Sequence, residues 1–146
     1  MFPQAPHDPV MDTLTPRTTN VLLVQADPDG AADLQATLDE AAVERTGGFR
    51  VEQALELTDG VERLSRGGVD IVLLELDLPD SSGMASFERL SAFAPNVPVV
   101  VVSDHADEAL ALGTVAGGAQ DFLVRHEVAP GALARTLRHA IERHRL

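Results

Sequence analysis

The chain has 146 residues, 45% of them hydrophobic, with a net charge of −12 and no cysteine. That length fits one domain, and that apolar content supports a packed core. The charge argues against binding of the whole domain to nucleic acid or an anionic membrane, and the lack of cysteine excludes disulfides, thiolate metal sites and cysteine nucleophiles.

Residues 1–19 hold four prolines (Pro3, Pro6, Pro9, Pro16) and little periodic apolar content, which predicts a flexible leader. Regular structure is expected from Asn20, giving a domain over 20–146. "VLLV" (Val21–Val24) reads as a strand stopped by the acidic turn "QADPDG", and Leu34, Leu38 and Ala41 or Ala42 then recur at helical spacing. "GGFRVEQAL" suggests a shorter strand, and "DGVERLSRGG" a short helix closed by Gly67 and Gly68. "VDIVLLEL", "VPVVVVS" and "AQDFLV" read as strands. "MASFERLSAFA", "DEALALGTVAGG" and "PGALARTLRHAIERHRL" read as helices, the last opened by Pro130 with a stripe of Leu133, Leu137 and Ile141. Near-continuous Val/Leu runs fit parallel strands covered on both faces. The expected fold is therefore α/β: a doubly wound, five-stranded parallel sheet of the flavodoxin-like type, (βα)5.

Sites in such sheets form beyond the carboxyl ends of the strands. The strand ends offer Gln25, Ala26 and Asp27; then Glu75, with Asp77 and Asp80 in its loop; then Ser103 and Asp104; then Arg125. The segments "VLLVQADPDG", "DIVLLELDLPDSSG", "VPVVVVSDHAD" and "GGAQDFLVR", in this order and spacing, resemble the receiver domain of two-component response regulators (CheY-like) over about residues 20–145. The resemblance implies a phosphoacceptor aspartate after the third strand, an acid pair after the first that helps hold Mg²⁺, a hydroxyl after the fourth and a lysine after the fifth. Mg²⁺ takes oxygen ligands and offsets charge on the transferring phosphoryl group.

Carried over residue by residue, the phosphoacceptor position falls on Glu75 and the acid pair on Ala26 and Asp27. The hydroxyl is Ser103, the lysine position Arg125 and the aromatic switch position Phe122; His126 follows where proline is usual, and Leu78–Pro79 and Gly83 keep the turn. A weak Mg²⁺ site from Asp27, Glu75 and the Asp77 carbonyl is the most that this set offers. Glu75 sets its carboxylate one methylene beyond that of an aspartate, away from the geometry of in-line transfer. Arg125 keeps the charge in a planar fork able to pair bidentately with a carboxylate. The chain contains no lysine, so composition alone accounts equally for Arg125.

These departures describe a pseudo-receiver. Glu75 stands in for phospho-aspartate and reaches Ser103 and Arg125, and the module acts through protein contacts and not as an enzyme. The expected partners are a histidine kinase or another signalling protein, and a second copy through the last helix and fifth strand. That helix is relatively basic, with Arg135, Arg138, Arg143 and Arg145.

Three alternatives stay open: a drifted relic, a receiver that still accepts phosphate (with Asp77 as a remote alternative acceptor), and a small-ligand-binding flavodoxin-like domain. No G-x-G-x-x-G or P-loop supports the last. The five histidines lack zinc-ligand spacing. No apolar run approaches roughly 18 residues, and no basic stretch leads into an apolar one, so neither a membrane span nor a secretory signal is expected. The cytoplasm is the expected location, and the helical pattern running up to Leu146 leads to the expectation of a module that continues into another.

Overall fold

A computed structural model of the chain describes residues 18–41, 47–125 and 127–145. The expected leader therefore lies almost wholly outside the described residues, as do Ala42 and His126. Thr19, assigned to the leader, instead opens the first strand, its N–H donating to Gly48 O at 2.9 Å.

Five strands alternate with five helices: β1 (Thr19–Val24), α1 (Gly30–Ala41), β2 (Phe49–Ala54), α2 (Leu57–Ser65), β3 (Ile71–Glu75), α3 (Met84–Phe93), β4 (Val99–Ser103), α4 (Glu108–Ala116), β5 (Asp121–Val124) and α5 (Pro130–Arg145). All strand pairs are parallel, in the order β2-β1-β3-β4-β5. The expected flavodoxin-like sheet is the observed one. The strand order reverses between β1 and β3, which opens a crevice at their carboxyl ends.

Alternation along the strands builds two cores. Leu22, Val24, Val72, Leu74 and Val101 pack against Leu57, Leu64, Phe87 and Leu90 on the face covered by α2 and α3. Val21, Leu23, Ile71, Leu73 and Val100 pack against Leu38, Ala134, Leu137 and Ala140 on the face covered by α1 and α5. Both sides of the stretches Val21–Val24 and Ile71–Leu74 are buried, and neither stretch carries a polar residue. The first polar residues past that apolar ladder are Gln25 and Glu75.

Helix α2 begins at Leu57, two residues before the expected start at Asp59. Its N-cap residue, Glu56, makes no side-chain cap. The cap comes from the loop after β3: Asp80 accepts from Leu57 N (2.8 Å), Thr58 N (2.9 Å) and Thr58 Oγ (2.7 Å). These bonds satisfy the free N–H groups of the first turn from 22 and 23 residues away.

Candidate functional site

The register of the sheet decides which residues meet. Val24 lies opposite Leu74, so the next residues, Gln25 and Glu75, stand side by side past the end of the ladder. Gln25 is buried and its Nε2 donates to Glu75 Oε2 at 2.9 Å. The turn behind it is held by Gln53 on β2, whose side-chain amide donates to Gln25 O at 2.8 Å and also to Asp27 O, while its Oε1 accepts from Ala31 N at 2.9 Å.

Arg125 arrives from the other side. The β4–β5 ladder continues one step past its strands, with Arg125 N donating to Ser103 O at 2.7 Å. The guanidinium then divides its fork. Nη2 donates to Glu75 Oε2 at 2.5 Å, and Nε pairs with Asp104 Oδ1 at 3.1 Å. The expected bidentate grip on Glu75 is replaced by a bridge between two carboxylates. Glu75 and Arg125 are 22% and 25% exposed, so water screens this pair only in part; Asp104, at 54%, is well solvated and adds little.

The other expected site residues are arranged differently. Ser103 does not meet Glu75: its Oγ accepts from His105 N at 3.2 Å, a bond local to its own turn. Phe122 packs its ring partly buried against the core on the α2 and α3 face. Asp77 is exposed. Asp27, expected as one of the acid pair, is exposed and uses Oδ1 to accept from Asp29 N at 3.0 Å. The strand-end neighbour of Glu75 is Gln25, a residue visible at the strand end but outside the expected set.

The resemblance raises the question of Mg²⁺, which receiver domains typically bind at the phosphorylation site. The residues present do not fit that ion. Among the described residues, no three acidic, histidine or cysteine side chains converge as a metal site. Glu75 Oε2 already accepts from an amide and a guanidinium, both of which offer protons where a cation needs lone pairs. The positive charge beside Glu75 comes from the chain itself.

The loop after β3 is firmly tied. Leu78 and Ser81 form a small antiparallel bridge, and Ser86 Oγ donates to Leu76 O at 2.7 Å. Gly83, at φ +63°, occupies the N-cap of α3 in a conformation that disfavours any side chain.

Gly30 has a different constraint. A Cβ there would lie 1.9 Å from Gln25 Oε1 and 3.2 Å from Leu23 Cδ2. Gly30→Ala is therefore expected to displace the Gln25 carboxamide from Glu75 and lower stability by about 1 kcal/mol, the typical net value of one hydrogen bond. Urea unfolding measures that loss. Two-dimensional amide NMR of the Gln25 side chain reads the displacement directly.

Comparison with known proteins agrees with this architecture. The family model for the response regulator receiver domain matches residues 21–138. The chain is 30% identical over 127 residues to the C4-dicarboxylate transport transcriptional regulatory protein DctD of Rhizobium meliloti, covering 87% of this chain and 26% of that protein. It is 28% identical over 116 residues to the swarming motility regulation protein RssB of Serratia marcescens, covering 80% of this chain and 50% of that protein. The chain thus spans between a quarter and a half of these curated relatives. Among solved structures, the signal receiver domain of a LuxO repressor protein from Vibrio parahaemolyticus superposes with a TM-score of 0.73 at 19% identity, covering 88% of this chain and 94% of that one. The beryllofluoride-activated NtrC4 receiver domain dimer gives 0.71 at 22%, covering 86% and 98%. With the alternating fold, the strand-end site and a family match over most of its length, the chain belongs to the response regulator receiver domain family.

Proposed function

We propose that this receiver is a signalling module held in one state by an internal ion pair, and that it does not accept phosphate at position 75. The observation that carries this reading is Glu75 Oε2 receiving both Arg125 Nη2 and Gln25 Nε2. A permanent carboxylate on the longer side chain already holds the cation that a phosphoryl group would otherwise recruit. Glu75 is thus a stand-in for phospho-aspartate in its contact with Arg125, though not with Ser103. With Gln25 beside Glu75 and Asp27 bonded within its own turn, we read the acid-pair positions at Gln25 and Ala26 instead of Ala26 and Asp27, and neither side chain brings a carboxylate to hold Mg²⁺ for transfer.

With no transfer chemistry, the module works by contact. A histidine kinase or another signalling protein in the cytoplasm is the partner class that its family supports, and direct nucleic-acid binding by this domain is disfavoured by its −12 charge. A second copy docking through α5 and β5 is a further contact of the same kind. It is supported by the dimer seen for the NtrC4 receiver and by the exposed apolar side chains Leu112 and Val115 on the neighbouring α4.

The test is intact mass after incubation with Mg²⁺ and acetyl phosphate. The parent chain is expected to stay unmodified. Glu75→Asp alone is also expected to stay unmodified, because the metal carboxylates are still missing. The triple variant Gln25→Asp, Ala26→Asp, Glu75→Asp is expected to gain one phosphoryl group. A phosphoryl group on the parent overturns the reading, and peptide mapping then starts at Asp77.

A further inference from the structure

A cavity of about 430 Å³ opens between α1 and the start of α5, at the same end of the sheet as Glu75. Four strands floor it with Leu23, Leu73, Val102 and Leu123, and Leu34 and Leu133 wall it. Further down this face the helices meet the sheet closely, and Val21, Ile71 and Val100 are fully covered. At the cavity they diverge, so Leu34, Val102, Leu123 and Leu133 stay only partly buried. Apolar side chains from a core face thus surround a space of the size that small molecules occupy.

The charge at its edge selects the occupant. Asp27 and Asp33 line the cavity and are exposed. Arg125, the cation of the lining, is already committed to Glu75 and Asp104. The lining itself thus carries two negative charges and one positive, and the positive one is already neutralised by Glu75 and Asp104, which do not line the cavity, in a chain that is itself strongly acidic. An anion would meet net repulsion there, whereas a cation meets two solvated carboxylates.

We propose that this cavity binds a small organic cation with an aliphatic body, of the alkylammonium class. The aliphatic part covers the leucine and valine floor, and the ammonium lies between Asp27 and Asp33. Gln25 and Arg125 line the same cavity, so an occupant touches the residues that hold Glu75. Binding there supplies the module with an input that needs no phosphoryl transfer. The inference stands on the cavity and its charges, and is independent of whether Glu75 accepts phosphate.

The experiment titrates the full chain by calorimetry with hexylammonium, hexanoate and 1-hexanol. Hexylammonium is expected to bind saturably at one site and to raise the melting temperature, and hexanoate is expected not to. The double variant Asp27→Asn, Asp33→Asn is expected to weaken hexylammonium by about fivefold, the factor that one exposed ion pair supplies at the top of its range. Val102→Phe, which fills the floor, is expected to abolish binding. Circular dichroism and melting of each free variant show that it is folded, and the asparagine pair alone tests the site if the phenylalanine variant is not. Absence of saturable hexylammonium binding, a preference for hexanoate, or unchanged affinity in the asparagine pair overturns the proposal. Acetyl phosphate labelling is scored separately by mass, so a failure here is distinct from a failure of the phosphate reading.

Discussion

Replacing Arg125 with methionine is expected to lower the unfolding free energy by about 1–2 kcal/mol. The estimate takes a charged hydrogen bond at the lower end of its range, because both partners retain some water contact. The loss follows from what remains. Among the described residues, Glu75 then keeps only the Gln25 amide and Asp104 keeps no cation. A partly desolvated carboxylate without its counter-charge is the costly half of a broken pair. The matched variant Glu75→Gln leaves a neutral group beside Arg125, which can still pair with Asp104. If the two side chains act as one unit, the double variant Arg125→Met, Glu75→Gln falls short of the summed single losses by about 1 kcal/mol. Urea unfolding of the four chains measures this coupling. Strict additivity would mean that the ion pair holds nothing, and the reading of a module held in one state by that pair would fail with it. Raising salt from low to molar concentration is expected to shrink the coupling only in part, as befits a half-buried pair.

Asp80 produces an effect of similar size by a different route. Its carboxyl is penalised by burial, but the Thr58 amide and hydroxyl and the Leu57 amide outweigh that penalty and hold its pKa at about 2, below the ordinary 3.8. A pKa lowered on folding gives stability that is present above the unfolded value. It is lost as pH falls through the window from about 4 toward about 2, because the unfolded chain takes up the proton first. Asp80→Ala is therefore expected to cost about 1–2 kcal/mol near neutral pH, the upper range for loss of a helix cap. The difference between the two chains should shrink as pH drops from 6 to 3. Unfolding midpoints at four pH values check both the size and the sign. A difference that stays constant with pH would assign the loss to packing and not to the charged cap. The consequence reaches the site, because the same loop runs back to Glu75. Freeing the first turn of α2 unties the loop that follows the site carboxylate.

The sequence by itself determined the sheet and most of its helices. "VLLV", "IVLL" and "VVVV" are apolar on every residue because both faces of β1, β3 and β4 are covered, and burial on two sides leaves no room for a polar alternate before the strand ends. The stripe along α5 and the Pro130 start marked that helix for the same local reasons. The strand-end positions of Glu75, Ser103 and Arg125 were legible too, because each is the polar residue, or among the first, after an apolar run.

What the tertiary structure decided is everything set by distance in the chain. Helix α2 gains its first turn because Asp80 supplies the cap, which no local pattern around Leu57 announces. Gln25 rather than Asp27 stands beside Glu75, because the β1–β3 register counts residues across two strands and the turn at Asp27 spends its carboxylate on Asp29 N. Ser103 bonds within its own turn, and Arg125 spans Glu75 and Asp104 instead of clasping one of them. Apolar periodicity is a property of neighbouring residues and can be read along the chain. Hydrogen-bond choice among several nearby polar groups depends on where the backbone brings them, and that follows only from the folded sheet.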